Sequence, residues 1–402
     1  MKKLFFISLI FLTFNFSAQD LWTKKADFQG TYRIRAVGFS INGKGYMGTG
    51  YDPVNGVLMD DWWEYDPITD TWTKMADFPG GARQNAVGFS IGNKGYLGTG
   101  TNGTYFKDFW EYDPILNQWT QKTDFGGAPR QGAVGFSINS KGYIATGNEA
   151  STTVNYYNDL WEYNPSINQW LQKANIPALG RKDATVFVIG SRAYVGCGDY
   201  TTVFSDYYKY DPTLNVWQPI SNFGGGAIFY AVGFSISGMG YAGTGSPNSF
   251  TRVDTFLTYN PLTNLWSPKT NFAGGNRTLA CGFSIGNKGY IGTGYISGMT
   301  WAMDFWEYTP DTTTSILEKH NYNSFIIYPN PTNNKSTIEF NNFLQKNHTL
   351  KLYDIQGRIV KTIDNITSDI IIIDTDNLID GLYFFQLNTN KEVRFTGKLI
   401  VK

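Results

Sequence analysis

The hexapeptide AVGFSI returns along this chain at an interval close to 50 residues. Its glycine stands at Gly38, Gly88, Gly135, Gly233 and Gly282, and a divergent copy, ATVFVI, puts Val186 in the same place. The steps between these six positions are 50, 47, 51, 47 and 49 residues. A period of that length, repeated six times, restricts the chain to an array of like units that bury their cores against one another.

Each unit carries four short strand patterns. In the second copy they run Ala86 to Ile91, Lys94 to Gly100, Asp108 to Tyr112 and Gln118 to Lys122. Alternation of apolar and polar residues with aromatics and β-branched side chains fits strands. Gly92-Asn93 and Asp113-Pro114 break them. An aromatic content of 17% with 44 glycines agrees with short strands and tight turns. The 33 Lys+Arg balance 33 Asp+Glu, which argues against an electrostatic nucleic-acid binder.

This unit resembles the kelch repeat. A glycine element ends the second strand, as GTG at Gly48/Gly50, Gly98/Gly100, Gly243/Gly245 and Gly292/Gly294, as ATG at Ala145/Gly147 and as GCG at Gly196/Gly198. Spaced Tyr–Trp pairs follow at Tyr65/Trp72, Tyr112/Trp119, Tyr163/Trp170, Tyr210/Trp217 and Tyr259/Trp266. The resemblance implies an all-β chain with a six-bladed kelch-type β-propeller over residues 19–310. The sixth unit has Tyr308 with no Trp after it, whereas Trp22 is unpaired near the start. A strand around Leu21 to Lys25 is therefore expected to complete the sixth blade and remove the open sheet edges.

Five residues before the repeat glycine stand Arg33, Arg83, Arg130, Arg181 and Arg277, with Ile228 in the fifth unit. Four residues before the blade tyrosine stand Asp61, Asp108, Asp159, Asp206 and Asp304, with Thr255 in the fifth. Both positions fall on one face of the ring, two strand spacings or about 10 Å apart. Two readings follow: an Arg–Asp latch inside each blade, or a ring of arginines at a channel mouth awaiting an anion. The joint loss of both residues in the fifth unit favours the latch. Glycine in the GTG element is expected to let the long Arg side chain pass without a Cβ clash.

The loops between second and third strands share that face and differ from unit to unit. Their aromatics, Tyr51, Tyr105, Phe106, Tyr156, Tyr157, Phe204, Phe250, Tyr295 and Trp301, are candidates for stacking on sugar rings or packing on a protein. The alternative is that several of them fold back on their own loops.

No catalytic residue, cofactor or metal site is expected. Galactose oxidase resembles this architecture but holds copper with histidine and tyrosine, and the two histidines here, His320 and His348, both follow the repeats. Sialic acid mutarotases also resemble it, as exported six-bladed kelch rings acting on a sugar, and this leaves a sugar-modifying enzyme as the alternative to a non-catalytic module binding glycan or protein. Cys197 and Cys281 fall in non-adjacent units, too far apart for a disulfide, and are expected to be free and largely buried.

The two ends carry targeting features. Lys2 and Lys3 precede an apolar run, Leu4 to Phe16, too short to span a membrane, so residues 1–18 read as a signal peptide. No later segment is apolar enough to span a membrane, and a monomer is expected. Residues 311–323 read as a linker, and residues 324–402 as a small β-sandwich. The sandwich resembles the sorting domain of the type IX secretion system on Tyr328-Pro329-Asn330-Pro331, the segment around Gly357, the strand with Gly381 and Tyr383, and the terminal Gly397-Lys398 strand. That resemblance implies the type IX machinery as partner, and passage through the periplasm to the outer-membrane surface or the medium.

Overall fold

The computed structural model describes residues 20–150, 154–296, 298, 300–311, 325–328, 330–340, 347–389 and 393–402. The expected signal peptide, nearly all of the expected linker, and Pro329 lie outside the described residues. Among the described residues every regular element is a strand.

Six antiparallel sheets make up a β-propeller, each with four strands ordered from inner to outer, the third carrying a short fifth strand, Val154–Tyr156, off that path. Their inner strands, Val37–Ile41, Val87–Ile91, Gln131–Ile138, Thr185–Ile189, Val232–Ile236 and Cys281–Ile285, surround one central channel. The repeat is explained by how neighbouring blades meet. Gly95 of blade 2 lies where an added Cβ would sit 2.5 Å from the Phe39 ring of blade 1. The same contact recurs between Gly142 and Phe89, Gly240 and Phe187, Gly289 and Phe234, and Gly45 and Phe283. At five of the six interfaces a blade thus presents a phenylalanine to a glycine of the next, and the buried ring contributes about 2–3 kcal/mol at each. Blade 4 has Ala193 in place of the glycine, and it joins Val134 and Phe136 of blade 3 in one buried cluster.

Closure is made by the first described strand. Leu21–Lys25 pairs antiparallel with Phe305–Thr309, with Trp22 opposite Tyr308. The two rings lie 4.9 Å apart. A second regularity fixes the equivalence. In every blade the outer-strand tryptophan donates its indole N–H to a carbonyl near the start of that neighbourhood: Trp72 to Ala26, Trp119 to Ala76, Trp170 to Thr123, Trp217 to Ala174 and Trp266 to Ser221. Trp22 does the same to Thr270 at 3.1 Å.

In five blades the second strand ends at the first glycine of the glycine element, two residues earlier than the sequence pattern suggests for blade 2, and in blade 3 it runs on to Ala150. Thr99 and Gly100 both have positive φ, +60° and +89°, and turn the chain there. The glycines serve backbone approach, and this corrects the expectation that they clear a path for arginine. A Cβ on Gly48 would sit 2.2 Å from the Asp61 carbonyl, and one on Gly50 2.7 Å from the Ile34 carbonyl.

The C-terminal domain has a three-stranded sheet, Phe325–Tyr328, Lys335–Phe340 and Ile370–Asp374, and a four-stranded sheet, Ile359–Ile366, His348–Tyr353, Gly381–Thr389 and Val393–Val401. Ile338, Phe340, Ile371 and Ile373 of the first form one apolar core with Leu350, Leu352, Phe385, Leu387 and Leu399 of the second. Asn330 ties the entry segment to the terminal strand: its Nδ2 donates to the Lys398 carbonyl at 2.9 Å and its Oδ1 accepts from the Ile400 N–H at 2.8 Å. Gly397 pairs with Phe385 on that strand, and Tyr328 with Thr337. Thr332, one residue past Pro331, adds a parallel bridge to Val401. Gly357 turns the hairpin at φ +78° over Asp354, Gly381 opens its strand, and Tyr383 donates to the Ile379 carbonyl at 2.6 Å.

Candidate functional site at the channel mouth

The five arginines are buried, at most 2% exposed. Arg33, Arg83, Arg130 and Arg181 hold Asp61, Asp108, Asp159 and Asp206 through two parallel bonds, the second of them 2.9 Å in every case. Arg277 pairs with Asp304 in the same way. Each Nη1 also reaches the carbonyl at the centre of the glycine element, Thr49 in blade 1 and Cys197 in blade 4. Indole N–H groups of Trp63, Trp110, Trp161 and Trp306 complete four of the carboxylates. These arginines are therefore latched inside their blades.

Three of the candidate loop aromatics belong to the same construction. Phe106 lies over the Arg83 guanidinium at 4.0 Å, Tyr157 over Arg130 at 4.0 Å and Phe204 over Arg181 at 4.3 Å. They roof the latch. Tyr295 packs on Arg252 at 4.6 Å and on Trp301. Tyr51 sits in a short hairpin with Leu58, and Tyr105 is half-buried beside Thr101. Phe250 is 89% exposed. Tyr156 meets Tyr200 edge-to-face at 4.6 Å. The nine aromatics thus differ in surroundings, from a guanidinium to another ring to solvent.

What converges instead is a ring that the loop candidates do not include. Between each latch position and the repeat alanine lie two residues: Ile34-Arg35, Gln84-Asn85, Gln131-Gly132, Lys182-Asp183, Phe229-Tyr230 and Thr278-Leu279. The second of each pair has left-handed φ: Arg35 +57°, Asn85 +53°, Gly132 +62°, Asp183 +54°, Tyr230 +54° and Leu279 +60°. For a non-glycine residue this costs roughly 1–2 kcal/mol. The geometry lets backbone bonds pass from blade to blade around the channel. Arg35 N–H donates to Leu279, Asn85 to Arg35, Gly132 to Asn85, Asp183 to Gly132 and Tyr230 to Asp183, at 2.8–3.2 Å.

These six residues, with the alanines that follow them, line a cavity of about 140 Å³. The same alanines begin the lining of the channel below, about 380 Å³ and walled by Val, Gly, Phe and Ser of the inner strands. Two groupings of polar side chains stand at the mouth. Arg35 donates to Gln84 at 3.0 Å and to the Tyr230 hydroxyl, two blades away, at 3.3 Å. The Tyr230 N–H donates to the Asp183 carbonyl at 3.1 Å, and its hydroxyl feels the Asp183 charge. Lys182 Nζ lies 2.8 Å from Asp183 and 3.4 Å from Asp199. Gly132 makes room for the second grouping, since a Cβ there would stand 2.6 Å from Asp183 Oδ1.

Electrostatics set the mouth apart from the latches. Burial pushes Asp199 up to about 6, against the pull of Lys182. Burial would lower Lys182, yet the Asp183 charge holds it above its ordinary value. Burial pushes Tyr230 up to about 12. Blades 4, 5 and 1 thus carry the charged and phenolic groups, blades 2 and 3 the amides, and blade 6 is mainly apolar. A mouth so arranged can present donors, acceptors and one titrating carboxyl to a polar ligand. Among the described residues no cluster of His, Cys, Asp and Glu is arranged to hold a metal ion. Cys197 and Cys281 are both free and buried.

With the two domains and the mouth in view, comparison with known proteins separates the classes involved. Residues 326–402 match the family described as secretion system C-terminal sorting domain, so the chain carries a type IX sorting signal and is a protein exported to the cell surface or the medium. The propeller is similar to the solved structure of YjhT, at 16% identity and a TM-score of 0.60, over 70% of this chain and 95% of that one; the likeness is one of fold. No curated protein sequence matches the chain.

Proposed function

We propose that the exported protein is a kelch-type recognition module that binds a saccharide at the channel mouth. The observation that carries this reading is a pair of polar groupings, Gln84–Arg35–Tyr230 and Asp183–Lys182–Asp199, of which Arg35, Tyr230 and Asp183 line a cavity held rigid by the blade-to-blade backbone bonds. A polyol exchanges hydrogen bonds with water for hydrogen bonds with the site, and a preorganised set of donors and acceptors keeps the ordering cost small. The rim pair Tyr156–Tyr200 supplies an apolar edge for a sugar ring. The test is a glycan array probed with the purified protein and with Arg35→Ala. Selective binding that Arg35→Ala weakens at least tenfold, with the melting temperature unchanged, supports the reading; binding unaffected by that change overturns it.

A second reading is a sugar mutarotase or epimerase. It is favoured by Asp199, whose carboxyl titrates near 6 and is suited to proton transfer at an anomeric centre. Exchange spectroscopy on reducing sugars separates the two readings: accelerated anomer interconversion that Asp199→Asn abolishes makes the protein an enzyme.

A further inference from the structure

On the rim between blades 3 and 4 a carboxylate is left short of a counter-charge. Lys182 serves two carboxylates, at 2.8 Å to Asp183 and 3.4 Å to Asp199. Asp183 is 8% exposed, with the shorter of the two contacts. Asp199 has only the longer contact, made by its buried Oδ1, while its side chain keeps 18% exposure. Tyr200 follows Asp199 in the chain, and its ring meets that of the less exposed Tyr156 at 4.6 Å, inclined at 79°. The Tyr156 hydroxyl is raised by burial and feels the charges of Lys182, Asp199 and Asp183. Glu149, on the same rim, accepts from Tyr157. The remaining cation of the mouth, Arg35, is engaged by Gln84 and Tyr230 on the far side, with only its buried Nε lacking a partner.

We propose that the mouth receives a saccharide through a primary ammonium group, seated between the Asp199 carboxylate and the Tyr156–Tyr200 pair. The inference rests on the saccharide reading and names the ligand class, an amino sugar with a free amine. Aromatic faces attract a cation through their quadrupole, and a partly exposed carboxylate held by one long, shared ion pair gains a charge-assisted hydrogen bond from it. A carboxylated sugar has no such complement here, because both cations of the mouth are engaged by its own residues.

The experiment measures binding of the purified secreted protein to three tetrasaccharides by calorimetry: glucosamine, N-acetylglucosamine and galacturonate. The glucosamine oligomer is expected to bind about tenfold or more tightly than the acetylated one, from one ion pair with aromatic contact. Its affinity is expected to fall several-fold from pH 7 to pH 5 as Asp199 takes up a proton, the reverse of what fuller protonation of the amine alone would do. Asp199→Asn is expected to cancel both the preference and the pH dependence. Blade 3 places Asn148 at the equivalent position after Gly147, so an amide suits the backbone there. Tyr200→Leu, at a side chain 42% exposed, is the second variant and is expected to weaken the amino sugar about threefold or more. Equal binding of the acetylated oligomer, or tighter binding of the uronate, overturns the ammonium inference and leaves the saccharide reading standing. No binding by any saccharide here or on the array overturns both.

Discussion

Ile228 and Thr255 occupy, in blade 5, the places that Arg and Asp hold in the other five blades, and Ile228 is 1% exposed. The molecule therefore contains its own comparison between a buried ion pair and an apolar filling of the same slot. Removing one partner strands a buried charge, whereas replacing both can be nearly neutral. Asp61→Ala is expected to cost about 3–5 kcal/mol in urea unfolding, and Arg33→Met combined with Asp61→Leu to recover most of that loss. Asp199 gives the opposite case, a carboxyl raised from 3.8 to about 6. The unfolded chain gives up this proton more readily than the folded one, so the group costs stability as pH rises through that window. The melting temperature of Asp199→Asn should gain on that of the wild type between about pH 4 and pH 6. The latches were legible in the sequence because their two residues vanish together. The mouth was not, because its dipeptides (Arg35, Asp183 and Tyr230 among them) differ in every copy, and periodicity draws attention to what recurs. The signal was present: two variable places inside an otherwise fixed Arg-x-x-Ala frame, beside the residue that follows each glycine element. The packing of Phe106, Tyr157 and Phe204 over guanidinium groups was not legible for a related reason, since their loops differ from copy to copy.

At the level of strands, Trp22 bears on the whole ring. Its side chain is 7% exposed and meets Phe256, Phe272 and Tyr308 at 4.9–5.1 Å, so one outer-strand residue joins blades 5 and 6. Trp22→Ala should cost about 3–5 kcal/mol, and the loss should appear as an earlier cooperative transition of the entire propeller. Fraying of residues 20–25 alone, seen by hydrogen exchange, would contradict this. The strands themselves were legible because each blade repeats the alternation, and the missing Trp after Tyr308 pointed to the closing partner. The ends of the second strands were less so, because the backbone crossing at Thr99-Gly100 is set by contacts with the next blade, Gly100 N–H donating to the Arg130 carbonyl at 2.8 Å. The two thiols belong to these inner layers. Burial pushes Cys281 up to about 12 and Cys197 higher still. Native protein should resist iodoacetamide at pH 8, and denaturation without reductant should yield two adducts by mass spectrometry.

Across the whole molecule, the propeller and the sorting domain have separate cores, and the matched sorting family covers only the second. Deleting residues 324–402 should leave a folded propeller in the periplasm, read by fractionation and protease resistance. Appearance of the truncated protein in the medium would contradict the role of the domain. The pieces that identified this domain in the sequence sit at its structural joints: Asn330 grips the last strand, and Gly357 turns a hairpin. Such positions tolerate few alternatives, which is why so short a set of residues was informative.

The pairing of Leu21–Lys25 with Phe305–Thr309 joins segments that ribosomes produce at opposite times. A nascent chain holds its first strand in waiting until the last sheet exists, and a truncated product keeps an unsatisfied edge on blade 6 and an uncovered indole. Because the sorting domain follows that last sheet in the sequence, any chain able to display it has already been supplied with every blade. Order of synthesis alone thereby screens cargo for completeness before the exit address can be read.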